Sequence, residues 1–266
     1  MADYIQPLAV ETTLGVLGVP PQDRPAVSRS ALSGAASRKE TRSEFATALK
    51  HLPHWTGQPA YDIEEHVVRP SLLRLLAKLD VDGDQLTAED LHAAFLLLLG
   101  ACLMVADVVS GALWHVVSDR VAYEKVRAQT TDGELSVPAV DELLRFTASG
   151  RDMLLRFATE PLSIAGQAVE TGDAVLLDTA AGNRDVSVFD APSELRPDRA
   201  LNRHLAFGRG SYNCLGAALA RTHLAIAVGT LISRCGGLRL APGADTAAWP
   251  DGWNGASPTR LEVNLG

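Results

Sequence analysis

Apolar positions open the chain at helical spacing. Ile5, Leu8, Leu14 and Leu17, with Thr12 between them, recur until Gly18 and Pro20, which predicts a helix within residues 1–20. Residues 21–60 are polar and mixed, with a weak helical pattern from Arg38 to Leu52 and a loop marked by His54, Trp55, Gly57 and Pro59. Tyr61 to Leu79 reads as a helix that Pro70 kinks or restarts. Asp80 to Asp84 is a turn. It begins like a calcium loop, but Gln85 stands where that loop needs glycine and Leu91 where it needs glutamate, so that reading fails.

Thr87 followed by Asp90 marks a helix start. Ala93 to Trp114 is then almost wholly apolar and long enough to span a bilayer. Asp107 and Ser110 interrupt it, and Asp107 would be costly in lipid. A helix over 88–116, buried at the centre of the protein and its most buried element, is therefore expected. After Ser118 the helices shorten, and one covers Asp141 to Phe146. From Leu154 to Thr179 the pattern changes to short strands turned at Gly166 and Gly172. Asn183 to His204 is an irregular connection rich in proline and arginine, and the tail from Leu238 holds two short strands around a Gly/Pro/Trp loop. The expected fold class is mainly α with a small β portion.

Composition narrows the setting. The 266 residues are 47% hydrophobic but only 5% aromatic, so aliphatic side chains and alanine fill most of the core. A net charge of −8 argues against a nucleic-acid surface. The cysteines, Cys102, Cys214 and Cys235, show neither zinc-like spacing nor a disulfide framework. The opening residues lack the basic start and apolar run of a leader, so a cytoplasmic protein that binds neither nucleic acid nor membrane is expected.

The most specific chemistry lies in Phe207-Gly208-Arg209-Gly210-Ser211-Tyr212-Asn213-Cys214-Leu215-Gly216. A glycine-rich loop ends on one cysteine, and an apolar helix follows at once, with Leu215, Leu219, Leu224, Ala227 and Leu231 spaced as its stripe. A thiol at a helix N-terminus favours the thiolate that ligates metals, and the glycines let the backbone pass close to something large and flat. The other reading is an inert buried cysteine beside a glycine turn.

This segment resembles the heme-ligand loop of the cytochrome P-450 family, matching at Phe207, Gly208, Gly210, Cys214 and Gly216. The resemblance implies Cys214 as the axial ligand of heme iron. It extends to Glu142 and Arg145, which match the family's Glu-x-x-Arg pair that helps lock the heme-side core. Arg156 matches the arginine that binds a heme propionate; a surface arginine on a strand is the alternative. Asn183 to Asp185 and His204 to Phe207 also read like bacterial members.

Three departures qualify the resemblance. The opening residues resemble a segment from well inside the family's chain. That implies one truncated domain over 1–266, lacking the N-terminal helices and part of the sheet, with an open apolar face. Aligned on Gly100, Cys102 and Leu103 stand where the family has an acid and a threonine that relay protons during dioxygen activation. Tyr212 replaces a basic residue, so a propionate would gain one hydrogen bond there and no charge.

The expected function is a non-classical heme-thiolate enzyme of bacterial secondary metabolism, as in antibiotic biosynthesis. It would act on a small natural product and would not be a standard dioxygen-activating monooxygenase. The alternatives are a heme-free helper or scaffold for a partner such as a glycosyltransferase, a heme-free cyclase using the old pocket, and a degenerate product with no function. A protein partner or a homo-oligomer would cover the open face.

Overall fold

A computed structural model of the chain describes residues 4–32, 50–56, 59–61, 68–81, 83–147, 155–244, 258 and 260–266. It divides into two compact units, and the boundary falls between Ala106 and Asp107.

The unit before that boundary begins with helix α1, Ile5–Leu17. Gly18 ends α1 in the left-handed conformation at φ 84°, with its N–H bonded back to Leu14 and Gly15. No other residue fits there, because an added Cβ would lie 2.2 Å from the Cβ of Ser71. Helix α2, Arg24–Leu32, packs on α1, and the short helix α3, Leu52–Trp55, forms where a loop was expected. Trp55 is its anchor: the ring is fully buried, tilts against Phe95 at 5.6 Å, and donates from Nε1 to Asp23 at 2.8 Å. The core joins Val10, Leu14, Leu52, Trp55, Leu73 and Phe95.

The helix expected over Tyr61–Leu79 does not form as one element. Pro59–Tyr61 and Val68–Pro70 pair as antiparallel strands, and helix α4 runs only over Leu72–Leu76. The reason is local. A residue before proline favours extended backbone, and Ser71 restarts the chain by capping α4, its Oγ accepting from Arg74 N–H at 3.2 Å. The pattern from Arg38 to Leu52 falls mostly outside the described residues.

Helix α5, Ala88–Ser118, starts on a reciprocal cap: Thr87 N–H donates to Asp90, and Asp90 N–H donates to the Thr87 hydroxyl. Among the described residues it is the one helix long and apolar enough to cross a membrane. Its first half is not buried all round, contrary to expectation. Phe95, Leu99, Cys102 and Ala106 recur on one buried face, while Leu96, Leu97 and Met104 are exposed, Leu97 to 72%.

The unit after the boundary contains the rest of α5, which is buried nearly continuously from Val108 to Leu113. Asp119 caps helix α6, Arg120–Arg127. A tight hairpin, Thr130–Thr131 with Glu134–Leu135, turns through Asp132 and Gly133, both at positive φ. Helix α7, Val137–Thr147, follows. Arg156–Phe157 pairs with Ala174–Val175, and Leu162–Ile164 pairs with Gln167–Val169. After helix α8, Thr179–Gly182, the chain runs irregularly to helix α9, Ala217–Arg234. Helix α9 packs on the hairpin, α6 and α7, and Gly229 permits the close approach: an added Cβ there would lie 2.6 Å from Gly133 O. Arg239–Leu240 with Val263–Asn264 forms the last strand pair.

Candidate functional site

The amphipathic helix α7 presents two adjacent carboxylates. Glu142 and Arg145, one turn apart, are fully buried and meet in a two-pronged bond, Arg145 Nε and Nη2 each 2.8 Å from a Glu142 oxygen. Arg145 spends its remaining donors on backbone carbonyls of the irregular segment: Asn183 and Pro192 at 2.8 Å, Glu194 at 3.1 Å. Glu142 accepts from the same segment: Arg196 N–H at 2.9 Å, Arg199 Nε at 3.0 Å and Asn202 Nδ2 at 2.9 Å. Burial alone would raise the Glu142 carboxyl, but these donors outweigh it and hold the group below the usual carboxylate range. The pair thus secures the stretch that leads into the cysteine loop.

Asp141, its neighbour, reaches the loop itself. Its Oδ1 takes Arg221 Nε at 2.8 Å and His204 Nε2 at 3.2 Å. Asn183 Oδ1 accepts from Leu205 N–H at 2.6 Å, fixing the entry to the loop. Gly208 and Gly210 then adopt φ of 69° and 90°, which turns the chain so that Cys214 N–H returns to Phe207 O at 3.0 Å. Cys214 is exposed, Cys235 half-buried and Cys102 buried.

The helix start differs from the one expected. Gly216 is the N-cap of α9, so Cys214 precedes the helix and Leu215 is 96% exposed, outside any stripe. The buried face is Ala217, Ala220, Leu224, Ala227, Val228 and Ile232. The three residues from Cys214 to Gly216 instead form a turn, in which Ala217 N–H bonds Cys214 O at 3.3 Å.

The other expected site residues are distributed as follows. Arg156 is exposed on its strand and donates to Leu155 O at 3.4 Å. Tyr212 is 88% exposed. An added Cβ at Gly210 would meet nothing within 4 Å, and one at Gly216 would sit 3.7 Å from the Cys214 sulfur, an ordinary contact. Cys102 belongs to the core of the unit before Asp107, and the half-buried Leu103 packs against that core. Cys102 donates to Leu99 O at 2.7 Å, and burial pushes its thiol up to about 11. Gly100 is exposed, and an added Cβ there would touch nothing within 4 Å.

The donor chemistry of the loop suits a heme: an exposed cysteine sulfur on a glycine-turned backbone, approached by a segment that the buried Glu142–Arg145 pair holds. The ionic partners that the sequence did not single out are Asp141, Arg199, Asn202 and Arg221. For Arg199 and Asn202 the signal is the polar, arginine-rich approach to the cysteine, opposite the adjacent acids of α7; Arg221, on the helix after the cysteine, has no such signal.

A family model described as Cytochrome P450 matches residues 135–242. The chain is 32% identical over 265 residues to the nocardicin C N-oxygenase of Nocardia uniformis subsp. tsuyamanensis, a match covering 99% of this chain and 65% of that protein. It is 30% identical to the structure of the LnmA cytochrome P450 hydroxylase from the leinamycin biosynthetic pathway of Streptomyces atroolivaceus, with a TM-score of 0.79 over 98% of this chain and 67% of that one. The structure of the polyketide-synthase cytochrome P450 PksS of Bacillus subtilis shares the fold at 24% identity, with a TM-score of 0.81 over 99% of this chain and 67% of that one. The chain spans less than two thirds of the length of the curated relatives it matches first.

Proposed function

This chain belongs to the cytochrome P450 family, and on that premise we propose that it serves bacterial secondary metabolism as a heme-thiolate protein acting on a small natural product, outside the ordinary dioxygen-activating cycle. Heme is the family's cofactor, and it supplies redox and Lewis-acid chemistry at its iron. Cys214 would hold the iron, Phe207, Gly208 and Gly216 would surround the thiolate, and Arg156 and Tyr212 would meet the propionates.

One observation carries the proposal. At the acid position Cys102 is turned into the core, its proton committed to Leu99 O and its thiol pushed up to about 11. Leu103 at the alcohol position has no proton to pass. Ordinary dioxygen cleavage needs protons delivered in sequence, and these two side chains deliver none. A reaction whose oxidant carries its own protons, as peroxide does, has no need of the pair; nor has a rearrangement or dehydration.

The test has two stages. The visible spectrum of the purified protein, with and without reductant and carbon monoxide, establishes heme and thiolate. An electron-transfer pair, dioxygen and candidate natural products are then supplied, and the expected result is reductant consumption without coupled hydroxylation. Tightly coupled hydroxylation overturns the proposal.

A second reading, a helper for a partner protein or a second copy, is favoured by large side chains exposed beside Cys214 in the sequence and on the approach to its loop: Tyr212 and Leu215 in the loop, and Leu201 ahead of it, face solvent. On either reading residues 1–266 act as one domain in the cytoplasm. A single cooperative melting transition is expected, and two separate transitions would divide the chain.

A further inference from the structure

Every residue from Arg209 to Leu215 is exposed, so no core contact holds the segment that carries the thiol. Its direction is set from its ends. One end is α9; the other is Phe207, whose carbonyl receives Cys214 N–H. What fixes Phe207 therefore fixes the sulfur-bearing backbone.

Two side chains flank the Phe207 ring. The Arg221 guanidinium lies over it at 4.7 Å, and His204 meets it edge-on at 6.0 Å. Both converge on one oxygen, Asp141 Oδ1. The histidine tautomer follows from its bonds. Ala206 N–H donates to His204 Nδ1 at 3.2 Å, so Nδ1 bears the lone pair and Nε2 carries the proton given to Asp141. The donors of His204 and Arg221 outweigh burial and keep Asp141 ionised. Arg221 also stands on α9, so one carboxylate ties together both ends of the exposed loop.

We propose that Asp141 is the positioning residue of the cysteine loop, holding Phe207 through His204 and Arg221 and, through the Phe207 carbonyl, the backbone of Cys214. The proposal rests on the reading that Cys214 holds heme iron, and its test separates the two. Asp141→Ala, Asp141→Asn and Asp141→Glu are compared with the unmodified full chain. The first measurement, amide hydrogen exchange, is made without added heme. Residues 205–216 should exchange roughly tenfold faster in Asp141→Ala while α7 keeps its protection, and Asp141→Glu should restore most of the difference. The second is the reduced carbon monoxide spectrum of heme-loaded protein, where Asp141→Ala and Asp141→Asn should lose most of the thiolate-type band. If Asp141→Ala fails to fold, Asp141→Asn carries both measurements. Unchanged exchange in 205–216, or exchange raised evenly across residues 107–266, overturns the proposal, as does an unaltered thiolate band. If the unmodified chain gives no thiolate band, the heme reading fails, and the exchange measurement still decides the role of Asp141.

Discussion

Asp141 and Glu142 are sequence neighbours whose carboxylates hold two different stretches of chain. Glu142 takes Arg196, Arg199 and Asn202 from the irregular segment, whereas Asp141 takes His204 and Arg221 at the cysteine loop. Two adjacent positions of one helix thereby hold the chain at intervals from Arg196 to the first turn of α9.

Glu142→Ala leaves the fully buried Arg145 guanidinium without its counter-charge and also frees Arg199. The expected cost is roughly 3–5 kcal/mol, read as a lower denaturation midpoint. Arg145→Ala should cost a similar amount, since it takes the two-pronged bond from the buried Glu142, which keeps only Arg199 as counter-charge, and leaves three backbone carbonyls without their donor.

Gly229→Ala pushes a methyl group into the backbone of the hairpin, 2.6 Å from Gly133 O and 2.9 Å from the Glu134 Cα. Backbone cannot swing aside as a side chain does, so a loss of about 1–3 kcal/mol is expected in thermal or denaturant unfolding. Gly100→Ala, where the added atom meets nothing, is the control and should be neutral or slightly stabilising.

Acid should weaken the fold before the carboxylates titrate. Burial, aided by the charge of Arg184, pushes His115 down to about 4. Below its ordinary value near 6.5 the unfolded chain binds a proton that the folded chain refuses. Stability is therefore lost as pH falls from about 6.5 towards 4, by up to roughly 3 kcal/mol from this group. His223, buried and with no hydrogen-bond partner at either ring nitrogen among the described residues, is lowered too and adds in the same direction. Unfolding free energies at pH 7 and pH 5 should differ less in His115→Phe, which keeps the packing against Phe146.

Cys214→Ser should abolish a thiolate-type heme spectrum, while Cys102→Ser and Cys235→Ser should retain it. A thiolate band persisting in the Cys214 variant would require another ligand.

Local signals were read correctly where the physics is local. Gly18 ends α1 through its left-handed conformation, Thr87 and Asp90 start α5, and the strands around Gly166 and Gly172 pair near their expected places. The Tyr61–Leu79 segment misled because helical periodicity runs through it, while Pro70 and Ser71 impose their own geometry. The lattice around Arg145 was only half legible. Glu142 is a recognisable partner one turn away, but the carbonyls of Asn183, Pro192 and Glu194 carry no side-chain signature. Composition could not show the one-sided burial of the first half of α5 either, since its exposed and buried faces are both apolar.

The different exposures of the three cysteines bear on handling the protein. Cys102 is sealed in a core, Cys235 is half-covered, and Cys214 stands exposed on its loop. Without heme and reductant, air oxidation will select Cys214, and two molecules will join through it. A band of doubled mass on a non-reducing gel, absent in Cys214→Ser, is the expected mark of material that has lost its prosthetic group, and added thiol should return it to monomer.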